Sequence, residues 1–226
     1  MVFSINNLVD PSNRHSANMW RTTPDTSNTY ESMMDTAMRN NKATTIVTGQ
    51  RGAWNDADML EVGNFFSALG DAEGRTNFAL WCLMKSPLIL GTDLTNMTDA
   101  TLATLTSAGA ISVSKDSLGI QGVLRDSSCY HPRQPSTGHR LYDLPCGYQV
   151  WSGELVGGSA AVVLANLESA AAGQSITLTA AHLPPAVDDR TNGGRWTIKD
   201  AYTGVVRCQE CTLPQTVLVG PHDVAF

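Results

Sequence analysis

The sequence predicts an α/β segment followed by an all-β domain. Over roughly the first 110 residues, strand-like and helix-like signals alternate at the spacing of βα units. From about Ser112 the helical period disappears, and short β-rich runs separated by Gly, Pro, Asn and Asp take over. The length adds a third constraint: the first part of this 226-residue chain holds three to four βα units, whereas a closed parallel barrel needs eight and runs to about 250 residues. The first half is therefore an open parallel sheet or the tail of a barrel whose front is missing. The second half reads as an antiparallel sandwich or barrel.

In chain order, Phe3–Asn6 reads as a short strand that ends in Asn, Asp, Pro and Ser. Asn28–Arg39 reads as a helix with Tyr30, Met33, Met34, Ala37 and Met38 on one side, and Asn28 with Glu31 forms an Asn-x-x-Glu variant of the capping box. Thr44–Val47 is a β-branched strand. Asp71–Lys85 carries the strongest helical pattern, with Phe78, Trp81, Cys82 and Leu83 clustered, and Pro87 is expected to end it. Leu88-Ile89-Leu90 reads as a buried-strand triplet, and Asp99–Thr106 as a closing helix. Beyond the change of character, strands are expected at Ile120–Leu124, Tyr148–Trp151, Ala160–Leu164, Ser175–Thr179, Trp196–Asp200 and Thr216–Val219, with hairpin turns at Gly157-Gly158 and Gly193-Gly194. Asp126–Gly147, rich in Pro, Ser, Arg and His, reads as a surface loop. The division between the two parts falls near Ser112, giving domains at 1–112 and 113–226.

Composition excludes several functions. Lys and Arg number 15 against 21 Asp and Glu, and the net charge of -6 lacks the basic face that phosphate neutralisation needs, so no nucleic-acid partner is expected. No apolar run approaches the roughly 20 residues of a membrane span, so no membrane partner is expected either. Met1-Val2-Phe3-Ser4-Ile5 has neither the basic nor the apolar region of a secretory signal. Both ends fall inside strand-like patterns, which predicts a chain cut from a longer one.

Two segments carry candidate chemistry. In Trp54-Asn55-Asp56-Ala57-Asp58-Met59, two acids lie two residues apart beside an aromatic ring, just after a strand. If the strand continues, Trp54, Asp56 and Asp58 share one face. Carboxylates beside an aromatic platform suit a sugar site, because acids accept hydroxyl hydrogens while the ring covers the apolar sugar face. A cluster of Asx turns on a loop explains the same spacing equally well, and an Asp-x-Asp metal site lacks the third ligand it would need. In Trp20-Arg21-Thr22-Thr23-Pro24-Asp25, an Arg four residues ahead of an Asp can hold a hydroxyl or orient the acid, although an acid near a helix N-terminus is also what the helix dipole favours.

Cys208-x-x-Cys211 has no second Cys/His pair at zinc spacing and reads as a local disulfide. Cys129 and Cys146 can form another, and Cys82 reads as a buried small hydrophobe. No metal site and no cofactor-binding loop is expected. Asn96-Met97-Thr98 is a glycosylation sequon and a pointer to the secretory route.

"NMWRTTPDT", "WNDADMLEVGN", "RTNFALWCLMKSPLILGTDL" and "SLGIQG" occur in this order and spacing. Together they closely resemble the α-galactosidases of glycoside hydrolase family 27, from about Val2 to Phe226. The resemblance implies the C-terminal half of a (β/α)8 barrel, about strands five to eight, followed by an antiparallel β-sandwich. It also implies a retaining glycosidase that uses two Asp residues, with a galactoside as its partner, no cofactor and an extracellular, vacuolar or lysosomal location. Asp25 falls on the family's acid/base position and Arg21 on a sugar-contacting Arg. Asp58 and Met59 match residues that close the galactose pocket, and Trp54 and Asp56 are supporting positions. Retention needs carboxyls about 5–5.5 Å apart, one of them still protonated near working pH.

The departures from the family pattern are specific. The family's nucleophile lies in a Lys-x-Asp motif that this chain lacks, and Asp143 falls in the wrong domain. Asn6-Asn7-Leu8-Val9 stands where the family has Cys-Glu-Trp-Gly, a region that shapes the pocket near the sugar's second carbon. Thr92 replaces a common Cys. These changes predict a chain with the acid/base but without the nucleophile. They also leave room for α-N-acetylgalactosamine or β-L-arabinopyranose as the sugar, or for a non-catalytic remnant.

Overall fold

A computed structural model describes residues 4–5, 17–44, 52–63, 69–130, 145–169, 172–187 and 193–226. Its first part is built on three parallel strands. β1 (Ser4–Ile5) pairs with β2 (Met19–Arg21), which pairs in turn with β3 (Trp54–Asp56). Phe3 and Asn6, expected to extend β1, lie outside the described residues, as do residues 45–47 of the strand expected at Thr44–Val47. Thr44 itself is the C-cap of the preceding helix.

That helix, α1 (Tyr30–Ala43), starts two residues later than expected. Thr29 rather than Asn28 is the N-cap, and its side chain accepts from the Ser32 backbone N–H. The expected stripe is borne out by Tyr30, Met33, Met34 and Ala37, which are buried, while Met38 is half-buried. α2 (Asp71–Met84) is the hub of this part: from Thr76 to Met84 every residue is buried, as befits a helix surrounded on all sides. Glu73 reaches back to accept from Gly70 N–H at its start. It ends at Lys85, which adopts the left-handed conformation (φ +56°), two residues before Pro87 can act. α3 (Asp99–Leu105) follows, and then α4 (Ala108–Ser114), a helix the sequence pattern does not announce. α4 is made of small and β-branched residues and is capped by Ser107.

Leu88-Ile89-Leu90 forms no strand and is not buried: Ile89 is 45% and Leu90 40% exposed. Its order comes from one parallel bridge between Leu60 and Leu90, with Leu60 N–H donating to Ile89 O and Gly91 N–H to Leu60 O. Its other edge has no strand partner among the described residues, so the apolar triplet lacks the second neighbour that would cover it.

The second part is antiparallel, as expected. β4 (Val123–Tyr130), β5 (Pro145–Leu155), β6 (Ser159–Asn166) and the short β11 (Val224–Ala225) form one sheet in the order β11-β6-β5-β4. β7 (Gln174–Leu178) pairs with β10 (Gln215–Val219), and β8 (Trp196–Lys199) with β9 (Val206–Cys211). β4 and β5 run into both ends of the stretch expected to be a loop, and residues 131–144 between them lie outside the described residues. Cys208 and Cys211 are disulfide-bonded, and so is Cys146. Cys82 is free and buried, and burial pushes its thiol up to about 12.

The alternation along β5 and β6 decides how the two parts join. Trp151, Ala161, Val163 and Ala165 pack into the core built by α1 and α2, whereas Val150 and Leu164 face Ile176, Leu178 and Val219. The four-stranded sheet is thus covered on both faces, by helices on one and by β7 and β10 on the other.

Candidate active site

β2 and β3 run parallel, so their C-terminal residues, Arg21 and Asp56, come out side by side in register. The loops that follow these two strands carry the remaining candidates, at the end of a parallel sheet where such folds place their chemistry. Arg21 is the junction. Its Nη2 donates to Asp58 Oδ2 at 2.8 Å, lies 3.4 Å from Asp25 Oδ1, and also reaches Thr23 O at 3.2 Å. The Arg21 and Asp58 side chains are 14% and 12% exposed, whereas that of Asp25 is 85% exposed.

The structure corrects the expected relation between the two acids of the second segment. The strand stops at Asp56, and Asp58 takes a left-handed conformation (φ +81°), so the pleat does not set their common face. An Asx turn links them instead: Asp58 N–H donates to Asp56 Oδ1 at 2.9 Å, and Met59 N–H to Asp58 Oδ1 at 2.8 Å. The turn reading of this segment is therefore realised, and the turn brings Asp58 to Arg21. Trp54 begins β3, at the opposite end of the strand from Asp56, and Met59 is exposed beyond the turn.

Asp56 is buried, and its carboxyl is pushed above the ordinary carboxylate range chiefly by desolvation, with the nearby Asp58 charge adding to it. The Asp58 N–H and the Arg21 guanidinium oppose that shift. Asp56 is thus the buried brace, and Asp58 is the carboxylate held at the surface of the site.

Further residues, most of them in the same segments, fix this geometry. Thr26 N–H donates to Asp58 Oδ2 at 2.7 Å, and Trp81 Nε1 from α2 donates to Asp58 O at 2.8 Å. Ser86 Oγ accepts from Ala57 N–H, and Thr22 Oγ1 donates to Asn40 Oδ1 at 2.7 Å. Below them Trp20 Nε1 donates to Asn55 Oδ1 and Asn55 Nδ2 to Gln121 Oε1, tying β2, β3 and the segment after α4 together in a buried line. Among the described residues, Arg21 Nε and Thr23 Oγ1 are buried without a hydrogen-bond partner. Spacing did not assign these roles because each contact joins residues 18 or more positions apart along the chain. No group of three or more His, Cys, Asp or Glu able to hold a metal occurs among the described residues.

Two family profiles match the chain. Residues 6–116 match the profile described as alpha galactosidase A, and residues 146–226 match the alpha galactosidase C-terminal β-sandwich domain. The rice α-galactosidase is 36% identical over 152 residues, covering 67% of this chain and 31% of the relative. Arabidopsis thaliana α-galactosidase 3 is 38% identical over 149 residues, covering 66% and 30%. The chain therefore spans about a third of the length of these curated relatives. Among solved structures, α-galactosidase I of Mortierella vinacea superposes with a TM-score of 0.70 at 22% identity, over 100% of this chain and 57% of that one. A family 27 β-L-arabinopyranosidase of Geobacillus stearothermophilus, in complex with arabinose, superposes with a TM-score of 0.74 at 20% identity, over 99% and 49%. These neighbours share the barrel-plus-sandwich fold. With both profiles matched in order along most of its length, the chain belongs to the α-galactosidase family of glycoside hydrolases, of which it represents the C-terminal part.

Proposed function

We propose that this chain forms the acid/base side of a retaining glycosidase that releases terminal α-D-galactose from small or oligomeric galactosides. Residues 1–112 contribute the barrel portion and residues 113–226 the sandwich that packs on it. Asp25 is the acid/base. Arg21 and Asp58 hold sugar hydroxyls, Met59 closes the pocket, and Trp54 and Asp56 support it. The observation that carries this reading is the convergence of Arg21 on both Asp25 and Asp58 at the C-terminal ends of two parallel strands. A cation between two acids orients both of them toward the same space.

Retention requires a second carboxyl as nucleophile, about 5–5.5 Å from the acid. Asp58 is already committed to Arg21, Thr26 N–H and Met59 N–H. On this reading the 226 residues alone do not turn over substrate. The secretory route, to an extracellular, vacuolar or lysosomal destination, completes the proposal, supported by the disulfide bonds. No helix among the described residues is long and apolar enough to cross a membrane.

Two measurements test the reading. Incubation with an aryl α-galactoside should release no product above the blank, and turnover by the chain alone would overturn the missing-nucleophile reading. Ligand-observed magnetic resonance should detect galactose binding that is lost in Asp58→Asn. Binding of arabinopyranose in its place would favour the specificity of the Geobacillus neighbour, and no binding of either would leave a structural remnant.

A further inference from the structure

We propose that Asn96 carries an N-linked oligosaccharide. The inference is independent of the glycosidase reading and concerns a part of the molecule that reading does not use. Asn96-Met97-Thr98 is the single Asn-x-Ser/Thr sequon in the chain. Three structural observations make it a site rather than a chance spelling.

Asn96 is exposed, on a turn between the Leu88–Leu90 segment and α3. The turn holds itself together without the Asn96 side chain. Asn96 N–H donates to Asp93 O at 3.3 Å, and Asp93 Oδ1 accepts from both Thr95 N–H (2.9 Å) and Thr95 Oγ1 (2.7 Å). The Asn96 amide takes no hydrogen bond among the described residues, so attachment at Nδ2 breaks nothing. The neighbours on either side are anchored. Met97 packs against the main core, and Thr98 caps α3 by accepting from Thr101 N–H at 3.1 Å. The middle and last residues of the sequon therefore hold the loop while its first residue points a free amide outward.

The second observation is redox chemistry. Cys208 is bonded to Cys211, and Cys146 is also disulfide-bonded. Disulfides form and persist in the oxidising compartments through which glycosylated chains pass. The third is position: the turn lies between the segment that bridges Leu60 and the cap of α3, where residues 93–96 are all exposed.

The reaction balances with a lipid-pyrophosphate-linked oligosaccharide as donor. Asn96 Nδ2 forms a bond to the anomeric carbon, the bond from that carbon to pyrophosphate oxygen breaks, lipid pyrophosphate leaves with the electron pair, and Nδ2 gives up one proton.

The test is translation of the full chain behind a cleavable secretory signal in the presence of microsomes, scoring only the protease-protected product. One upward mobility shift is expected, removed by peptide-N-glycosidase. It should vanish in Asn96→Gln, which leaves the α3 cap intact, and in Thr98→Ala. It should persist in Thr98→Ser, which keeps both the sequon and the capping hydroxyl. A protected wild-type chain without the shift, or a shift that survives Asn96→Gln, overturns the assignment. Neither result bears on galactose binding, so the two proposals fail separately.

Discussion

Arg21 and Asp58 show how a single side chain organises this site. Both are largely withdrawn from water, so their attraction is weakly screened, and removing one partner strands the other's charge. Arg21→Ala is therefore expected to cost about 3 kcal/mol in urea unfolding, and Arg21→Lys to recover only part of it, because a compact, strongly hydrated ammonium costs more to hold this far from water than the weakly hydrated guanidinium, whose Nη2 alone meets Asp58, Asp25 and Thr23 O. Asp56 behaves differently. Its carboxyl is raised above its ordinary 3.8, so just above that pH the native state binds more protons than the unfolded one. Its contribution to stability accordingly falls as pH rises through that interval. Asp56→Asn keeps an oxygen for the Asp58 N–H and removes the buried charge. It should flatten this part of the stability–pH curve and leave the protein at least as stable at neutral pH. Asp56→Ala, which orphans that N–H, should cost about 1 kcal/mol. Unfolding midpoints measured between acid and neutral pH check both.

At the scale of elements, caps and close approaches set boundaries that periodicity only brackets. Asn28 and Thr29 are both good capping residues with an acid or Ser nearby, and the sequence favours Asn28 through Glu31. The helix adopts Thr29, whose hydroxyl is bonded to Ser32 N–H. Thr29→Ala should lower stability by about 1 kcal/mol in chemical denaturation. In α4, a Cβ on Gly109 would run into the backbone carbonyl of Ala201, against which the helix is seated. Ala improves helix propensity by about 1 kcal/mol over Gly. The collision outweighs that gain, so Gly109→Ala should be net destabilising by about 2 kcal/mol in chemical denaturation. α4 does not stand out in the sequence because it is about two turns long, with Gly, Ser and β-branched residues alongside its two alanines, and what holds it is tertiary, through Ser107 Oγ donating to Ala201 O and Tyr202 O. Leu88–Leu90 erred in the other direction, since three apolar residues say that burial is wanted and not that a second neighbour is present.

Across the whole molecule, the two parts share a core rather than a linker. α2 reaches the C-terminal strand through Arg75, whose Nε and Nη2 donate to the two oxygens of Asp223 at 3.0 and 2.7 Å. Beside this fork, His222 stacks on Tyr30 with ring centroids 4.1 Å apart and meets Glu73 at 2.6 Å. Trp151 and Val163 from the sandwich complete the helical core. Such sharing predicts one cooperative thermal transition, with calorimetric and van't Hoff enthalpies equal. Asp223→Ala should lower its midpoint, at a cost of about 2 kcal/mol, without splitting it.

Legible along the chain were the order of architectures, the helix faces, the local Cys208–Cys211 bridge and the two segments that carry the candidate site. Each of these depends on periodicity or on neighbours a few residues apart. Three relations arise from the folded arrangement: Asp58 meets Arg21 through a turn rather than along a strand, Arg21 joins acids 4 and 37 residues away, and Trp81 and Thr26 hold the second of them. Those relations connect atoms distant along the chain, and the energies that select them exist only once parallel strands and the α2 core have brought them within hydrogen-bonding reach.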